Sequence, residues 1–279
     1  LAFRNPTDKK LISMTYKNLE TELNGAVATI WLNRPEVRNA IDEHLIAEIS
    51  KVFSELAKNE RIRVLVLAGR GTSFCAGGDI DWMRRMADFS PEQNLRDARM
   101  LAQMLKTVHT SPKPVIARVH GPAYAGGMGL AAAGDIVVAD QAAEFCLSEV
   151  RIGLVPATIS PYVIRALGIR ASQRYMLTGE RLSAQEAFRL GFVHQLSNVG
   201  AIDEAVSCVA NALIAAGPQA LTKTKSLIED VGLRGPHEDV MQDTAERIAN
   251  VRASSEGREG VTAFLAKRKP MWLASGGAR

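Results

Sequence analysis

Three short stretches of this 279-residue chain hold residues whose types and spacing could do chemistry. Two are glycine-rich turns, Ala76-Gly77-Gly78-Asp79 and the longer Gly121 to Gly129, each following an apolar run that reads as a buried strand. A strand that feeds a glycine-rich turn and then a helix aims backbone N–H groups at negative charge. Two such turns meeting at one point would make a pocket for an oxyanion, where a single fixed donor is worth about 10²–10³-fold in rate. The same composition also serves a close-packed helix start with no ligand, so the turns alone leave both readings open. The third stretch holds Glu149, set among Cys146, Leu147, Val150, Ile152 and Leu154. Burial among such neighbours raises a carboxyl pKa toward neutrality and suits it to proton transfer. Exposure would instead leave Glu149 to pair with Arg151.

Several other chemistries lack their pattern. Ser73 is not in a GxSxG setting, which argues against a serine hydrolase. Neither turn carries GxGxxG or the P-loop spacing, which disfavours dinucleotides and nucleoside triphosphates. Cys75, Cys146 and Cys208 are odd in number and widely spaced, as reduced thiols of a cytoplasmic or mitochondrial-matrix protein would be, and no metal-ligand spacing appears. His120 reads as a hydrogen-bonded packing residue, while His44 and His109 fall on helical patterns with a solvent-facing role expected. The net charge of +4 suits an anionic small ligand. Only Lys267-Arg268-Lys269 approaches a basic block, which disfavours nucleic acid. No apolar run reaches the roughly 18 residues of a membrane span.

The elements that must position these residues follow from periodicity. Ala26–Leu32 and Ile62–Ala68 read as strands, and Asp42–Lys58 between them as a helix with Leu45, Ile46, Ile49, Val52, Phe53 and Leu56 on one face. Strand, helix, strand in this span is a parallel crossover. It puts the first glycine turn at the carboxyl end of a strand, where α/β sheets bind ligands. A helix over Ala87–Thr107, with Leu95, Ala98, Leu101, Ala102 and Leu105 on its inner side, leads to a third strand, Val115–Val119, and so to the second turn on the same sheet edge. Further strands are expected at Asp135–Ala139, Glu144–Leu147 and Phe192–Leu196. A helix over Thr158–Leu167 is expected to break near Pro161, with short helices at Ala171–Leu177 and Ser183–Leu190. From Ala201 the pattern is helix only. The chain thus divides into 1–15, a disordered leader or expression remnant with Met14 as a natural start; 16–200, an α/β core; and 201–279, a helical region docked on the core or on a neighbouring subunit.

Three motifs in this order resemble the enoyl-CoA hydratase/isomerase (crotonase) superfamily: Asn33-Arg34-Pro35 with Asn39-Ala40, Phe74 to Ile80, and His120-Gly121 through Gly129 followed by Asp135-Ile136. Glu149 and Gly153 to Pro156 stand behind them, and the likeness runs from Tyr16 to Trp272. Within the superfamily, Phe145 to Arg151 and Pro156 to Tyr162 look like bacterial methylglutaconyl-CoA hydratases of leucine breakdown. The resemblance implies an α/β fold, a crotonase-type spiral of ββα units with a helical C-terminal trimerisation region, and a homotrimer or a hexamer of paired trimers. It implies an acyl-CoA substrate and no separate cofactor, coenzyme A being part of the substrate. It implies that the N–H groups of Gly78 and Gly126 hold the thioester carbonyl and that Glu149 moves protons. Val37, Arg38 and Ala40 would line the CoA groove, with Ala76, Asp79 and Ile80 on the adenine or pantetheine side. Phe264 and Lys267 would reach CoA from the same or an adjacent subunit, with Arg38 and Lys267 facing its phosphates. Trp82, Met83, Met86, Leu101, Tyr124 and Tyr162 would wall the acyl pocket. One departure stands out: where typical hydratases carry a second glutamate, this chain has Gly129. Hydration of a 2-enoyl-CoA is the leading expectation, with methylglutaconyl-CoA the substrate that the resemblance suggests; Δ3,Δ2-isomerisation on the same fold and an RNA-binding protein with vestigial activity are the alternatives.

Overall fold

The computed structural model describes residues 10–11 and 16–274. The chain starts with β1 (Lys10–Leu11), β2 (Leu19–Asn24), β3 (Val27–Leu32), α1 (Glu43–Lys58) and β4 (Val64–Gly69), then α2 (Ile80–Ala87), α3 (Pro91–His109) and β5 (Val115–Val119). The middle holds β6 (Ala123–Tyr124), α4 (Gly126–Ala132), β7 (Ile136–Asp140), β8 (Glu144–Cys146), α5 (Ser160–Thr178), β9 (Arg181–Ser183), α6 (Ala184–Arg189) and β10 (Gln195–Ser197). The helices α7 (Ile202–Ala215), α8 (Pro218–Val231), α9 (Glu238–Ala253), α10 (Ser255–Leu265) and α11 (Met271–Ala274) complete it. Seven strands form one sheet in the order β1-β2-β3-β4-β5-β7-β10, and β6-β8-β9 form a second, smaller one.

The crossover expected from periodicity is present: β3 pairs with β4 in parallel, Val27 opposite Val64, and β4 with β5, Leu65 opposite Val115. Every residue of β4 is buried, as a central parallel strand covered on both faces requires. On one face, all six apolar residues expected on α1 are buried. On the other, Val64, Val66, Ile116 and Val138 pack with Ile202, Ala205, Val206 and Ala210 of α7. The apolar face of α7 is therefore spent on the sheet. No single helix among the described residues is long and apolar enough to cross a membrane.

The structure corrects four readings. The span Ala87–Thr107 is two helices: Asp88 ends α2, and a capping box of Ser90 with Gln93 starts α3. The inner stripe of α3 is Asp97, Met104, Leu105 and Val108, whereas Leu95 is exposed. Pro161 does not break α5; it occupies the first turn, where its missing N–H costs nothing, and the break falls at Gly168 (φ 73°, ψ 162°). The antiparallel pair β2–β3 adds a strand that the sequence analysis passes over. Of the segment set apart as a leader, Lys10 and Leu11 pair antiparallel with Leu23 and Glu22, and the rest lies outside the described residues.

Candidate active site

The first glycine turn is pinned by a parallel bridge between Ile41 and Gly78. The Ile41 N–H donates to the Gly77 carbonyl at 2.7 Å, and the Asp79 N–H donates to the Ile41 carbonyl at 2.8 Å. In a parallel bridge the residue between those two bonds turns its own N–H to the opposite side, so the Gly78 N–H faces away from this strand segment. The motif around Arg34 holds the arrangement. Its guanidinium lies 2.9 Å from Asp79 and 3.1 Å from Asp42, both largely buried. Asp42 accepts from the Leu45 N–H to cap α1, and Asp79 accepts from the Asp81 and Trp82 N–H groups to cap α2. Fully buried Asn39 accepts from the Arg34 N–H and donates to the Arg70 and Ser73 carbonyls, tying the loop before α1 to the loop after β4.

The second turn is built differently. The Tyr124 N–H donates to Cys75 at 2.9 Å and the Ala125 N–H to Cys146 at 2.7 Å. Ala125 then takes φ 48°, ψ −119°, a conformation costly for a side-chain-bearing residue. This sharp corner lets Gly126 open α4 with no side-chain cap. The first N–H groups of a helix have no partner inside it, so that of Gly126 is available. The two turns touch. At Gly77, whose φ is +100°, an added Cβ would stand 3.2 Å from both the Ala125 Cβ and the Tyr124 carbonyl oxygen, so glycine allows the approach. His120 joins them from behind, its Nε2 2.9 Å from the Gly71 carbonyl, and burial lowers its pKa. It is the hydrogen-bonded packing residue the sequence analysis describes.

Glu149 arrives at the same end of the small sheet. Strands β6 and β8 are parallel, with Tyr124 opposite Cys146, so both chains leave in one direction. Gly126 follows Tyr124 by two residues and Glu149 follows Cys146 by three. Glu149 opens a 3-10 turn over Glu149–Ile152, which Gly153 closes. Its Oε2 is buried with no hydrogen-bond partner. Burial raises its pKa. The exposed pairing with Arg151, the alternative left open above, is not what the structure has.

Ile159 fills the place where a second carboxylate was sought. A Cβ on Gly129 would stand 2.1 Å from the Ile159 Cγ2 and 2.5 Å from its Cβ. Ile159 is only 2% exposed. Glycine at 129 is thus the seat of α5 against α4. Nothing in the sequence pointed to this pair, since 30 positions and two turns separate its members.

The remaining candidates fall into two groups. Val37, Arg38, Ala40, Ala76, Asp79 and Ile80 come together around the first turn: the Ala76 N–H donates to the Arg38 carbonyl at 3.0 Å, Ala40 is buried, and Ile80 stands exposed at the start of α2. The Asp79 carboxylate is already engaged by α2 and Arg34, so it contributes position rather than a free oxygen. Burial pushes its pKa up, but the Trp82 N–H and Arg34 outweigh this and hold it below the usual range. Tyr124 donates to Glu144; burial first, then this bond, push its pKa up to about 12. Trp82 is buried and its indole N–H donates to Asp97, and Met83 packs beside Gly78. Phe264 and Lys267 stand exposed at and just past the end of α10, outside the hydrogen bonds of either turn.

A second concavity, of about 660 Å³, lies at the other end of α4, lined by Ala132, Tyr162, Ala166, His109 and Phe192 among others. His109 corrects its reading as solvent-facing: it packs edge-on to Tyr162 with ring centroids 5.2 Å apart and bonds Glu229 at 3.1 Å.

Comparison with known proteins gives these features a context. The enoyl-CoA hydratase/isomerase family profile matches residues 22–275. A crystal structure of an enoyl-CoA hydratase from Shewanella pealeana superposes with a TM-score of 0.90 at 41% identity, covering 92% of this chain and 97% of that one. A Thermus thermophilus protein provisionally named an enoyl-CoA hydratase is 36% identical over 246 residues, 88% of this chain and 97% of its own. An Escherichia coli protein named 1,2-epoxyphenylacetyl-CoA isomerase is 30% identical over 252 residues, 88% of this chain and 94% of its own. The fold is the crotonase-type α/β fold, and the chain belongs to the enoyl-CoA hydratase/isomerase family.

Proposed function

We propose that this chain is a hydratase that adds water across the 2,3 double bond of a 2-enoyl-CoA thioester. The observation that carries the reading is Glu149: a buried carboxyl oxygen with no partner, at the sheet end where Gly126 begins α4. The thioester oxygen accepts from the Gly78 and Gly126 N–H groups. As charge grows on it, these fixed donors lower the barrier without reorganising. The Glu149 carboxylate takes a proton from water as the water oxygen bonds to C3, and the proton is then returned to C2 of the enolate. Burial raises the pKa of Glu149, which suits it to hold and give up that proton. No cofactor beyond the substrate's own coenzyme A enters these steps.

One observation favours a second reading. With Ile159 filling the space beside Gly129, Glu149 is the one carboxylate of the site, among the described residues, with an unengaged buried oxygen, and a single carboxylate suffices to carry a proton between C2 and C4 in an isomerisation. Product mass separates the two, because only hydration adds one water. A panel of 2-enoyl-CoA and 3-enoyl-CoA substrates, methylglutaconyl-CoA among them, is the test: water-adducted product from 2-enoyl-CoA supports the hydratase, while double-bond migration with no water uptake replaces it with the isomerase. Methylglutaconyl-CoA is proposed from the motif resemblance and stands or falls with the same panel. A homotrimer or hexamer is proposed on the exposed apolar residues Leu233, Met241, Phe264 and Leu265 of the C-terminal helical region. The proposed compartment is the cytoplasm or the mitochondrial matrix.

A further inference from the structure

Ile159 has a consequence for the acyl group as well as for the missing carboxylate. Helix α4 begins at Gly126, whose N–H holds the thioester oxygen in the reading above, on which this inference rests. A helix rises about 1.5 Å per residue, so Gly129 lies about 4.5 Å along the axis and Ala132 about 4.5 Å further. Gly129 and Ala132 share a face of α4. The opposing face of α5 starts at Ile159 and continues to Tyr162 and Ala166. Ala132, Tyr162 and Ala166 all border the 660 Å³ cleft. The seam between α4 and α5 therefore runs from the reacting carbons to a cleft of the size that takes small-molecule groups. Midway along it, against Gly129 and buried, stands the Ile159 side chain.

We propose that Ile159 is a specificity residue: it closes the acyl pocket beyond C3, restricts the chain to short enoyl-CoA thioesters, and separates the catalytic carboxylate from a cleft that would otherwise accept a longer acyl tail. The cleft suits an apolar tail along its Tyr162, Ala166 and Phe192 wall. The Ile159 side chain is hydrocarbon and lies against Gly129, so shortening it removes no hydrogen-bonding group of its own.

The test is the ratio of kcat/KM for a 2-dodecenoyl-CoA to that for crotonyl-CoA, in wild type, Ile159→Val and Ile159→Ala, with melting curves for each. The ratio should rise in that order, by about tenfold or more for Ile159→Ala, mostly through a lower KM for the long substrate. Ala166→Trp, which fills the cleft from its wall, should reverse the gain when combined with Ile159→Ala. If Ile159→Ala does not fold, the smaller Ile159→Val substitution decides the question by the same ratio. An unchanged ratio in folded variants that still turn over crotonyl-CoA overturns the inference and leaves the hydratase reading standing. Failure of wild type to convert any enoyl-CoA removes that reading and the inference with it.

Discussion

Helices α2 and α4 start at the two glycine turns, and they start in opposite ways. Helix α2 is capped by Asp79, whose carboxylate takes two of its first N–H groups and binds Arg34. The donor proposed at that turn is the residue before the cap, Gly78, whose N–H is left over from a strand bridge. Helix α4 has no side-chain cap at its N-terminus, and the donor proposed there is its own first residue, Gly126, which follows the strained corner at Ala125. One donor is positioned by a buried ionic and hydrogen-bonded network. The other is positioned by close packing of glycine backbone on its neighbours. The proposed oxyanion pocket thus draws on two unrelated local solutions, and each should fail in its own way.

The packing side should break hardest. Gly129→Ala puts a Cβ where the Ile159 side chain already is, and overpacking of this kind costs about 1–3 kcal/mol or more. Denaturant titration should register that loss, and combining it with Ile159→Ala should recover part of it, a non-additivity expected of touching residues. A donor can be removed more cleanly on the other side. At Gly78 an added Cβ meets Met83 at 3.6 Å and Trp82 at 3.9 Å, both ordinary contact distances, so Gly78→Ala should keep near wild-type turnover while Gly78→Pro, which deletes the N–H, should lose about 10²–10³-fold in kcat. Equal loss in both would show that the site depends on shape at Gly78 and not on its N–H. The same deletion at Gly126 is less clean, because a following proline disfavours the backbone that Ala125 adopts.

The ionic side should show itself through pH. Asp79→Ala removes a cap worth about 0.5–2 kcal/mol and leaves Arg34 with Asp42 as its one remaining carboxylate partner among the described residues. Because the folded protein holds Asp79 below its ordinary pKa, its contribution is present above the unfolded-state value and is lost as pH falls through the folded one. The stability gap between wild type and Asp79→Ala should therefore narrow on acidification. A gap independent of pH would assign Asp79 a role in shape alone.

These contrasts also mark what the sequence makes legible. Apolar pattern suffices for β3, α1, β4 and β5: α1 buries one whole face, and the central strand β4 is buried on both, so its run is apolar throughout. The glycine turns and Glu149 stand out by residue type, but type alone leaves each two readings; the contact between the turns and the burial of the Glu149 carboxyl come only with the fold. What pattern does not carry is contact between distant parts. Strand β2 alternates buried Leu19 and Thr21 with Glu20 and Glu22, and both glutamates are there to bind Arg70 of a later loop. Strands β6 and β9 are two and three residues long, too short for any period. His109 reads as a surface residue until α8 and α5 are brought against it. Ile159 is one more apolar residue in the chain, and only the fold reveals that it stands against Gly129.

Glu149 is where the central claim is most exposed to test. Its raised pKa means that the folded state favours the protonated form, so its charge costs stability as pH rises above the unfolded-state value. Glu149→Gln should for that reason melt at or above wild type at neutral pH, with the difference closing on acidification. In the same preparation, kcat for hydration of crotonyl-CoA should fall by about 10²–10⁴-fold. Turnover within a few-fold of wild type in a folded Glu149→Gln protein would contradict the account.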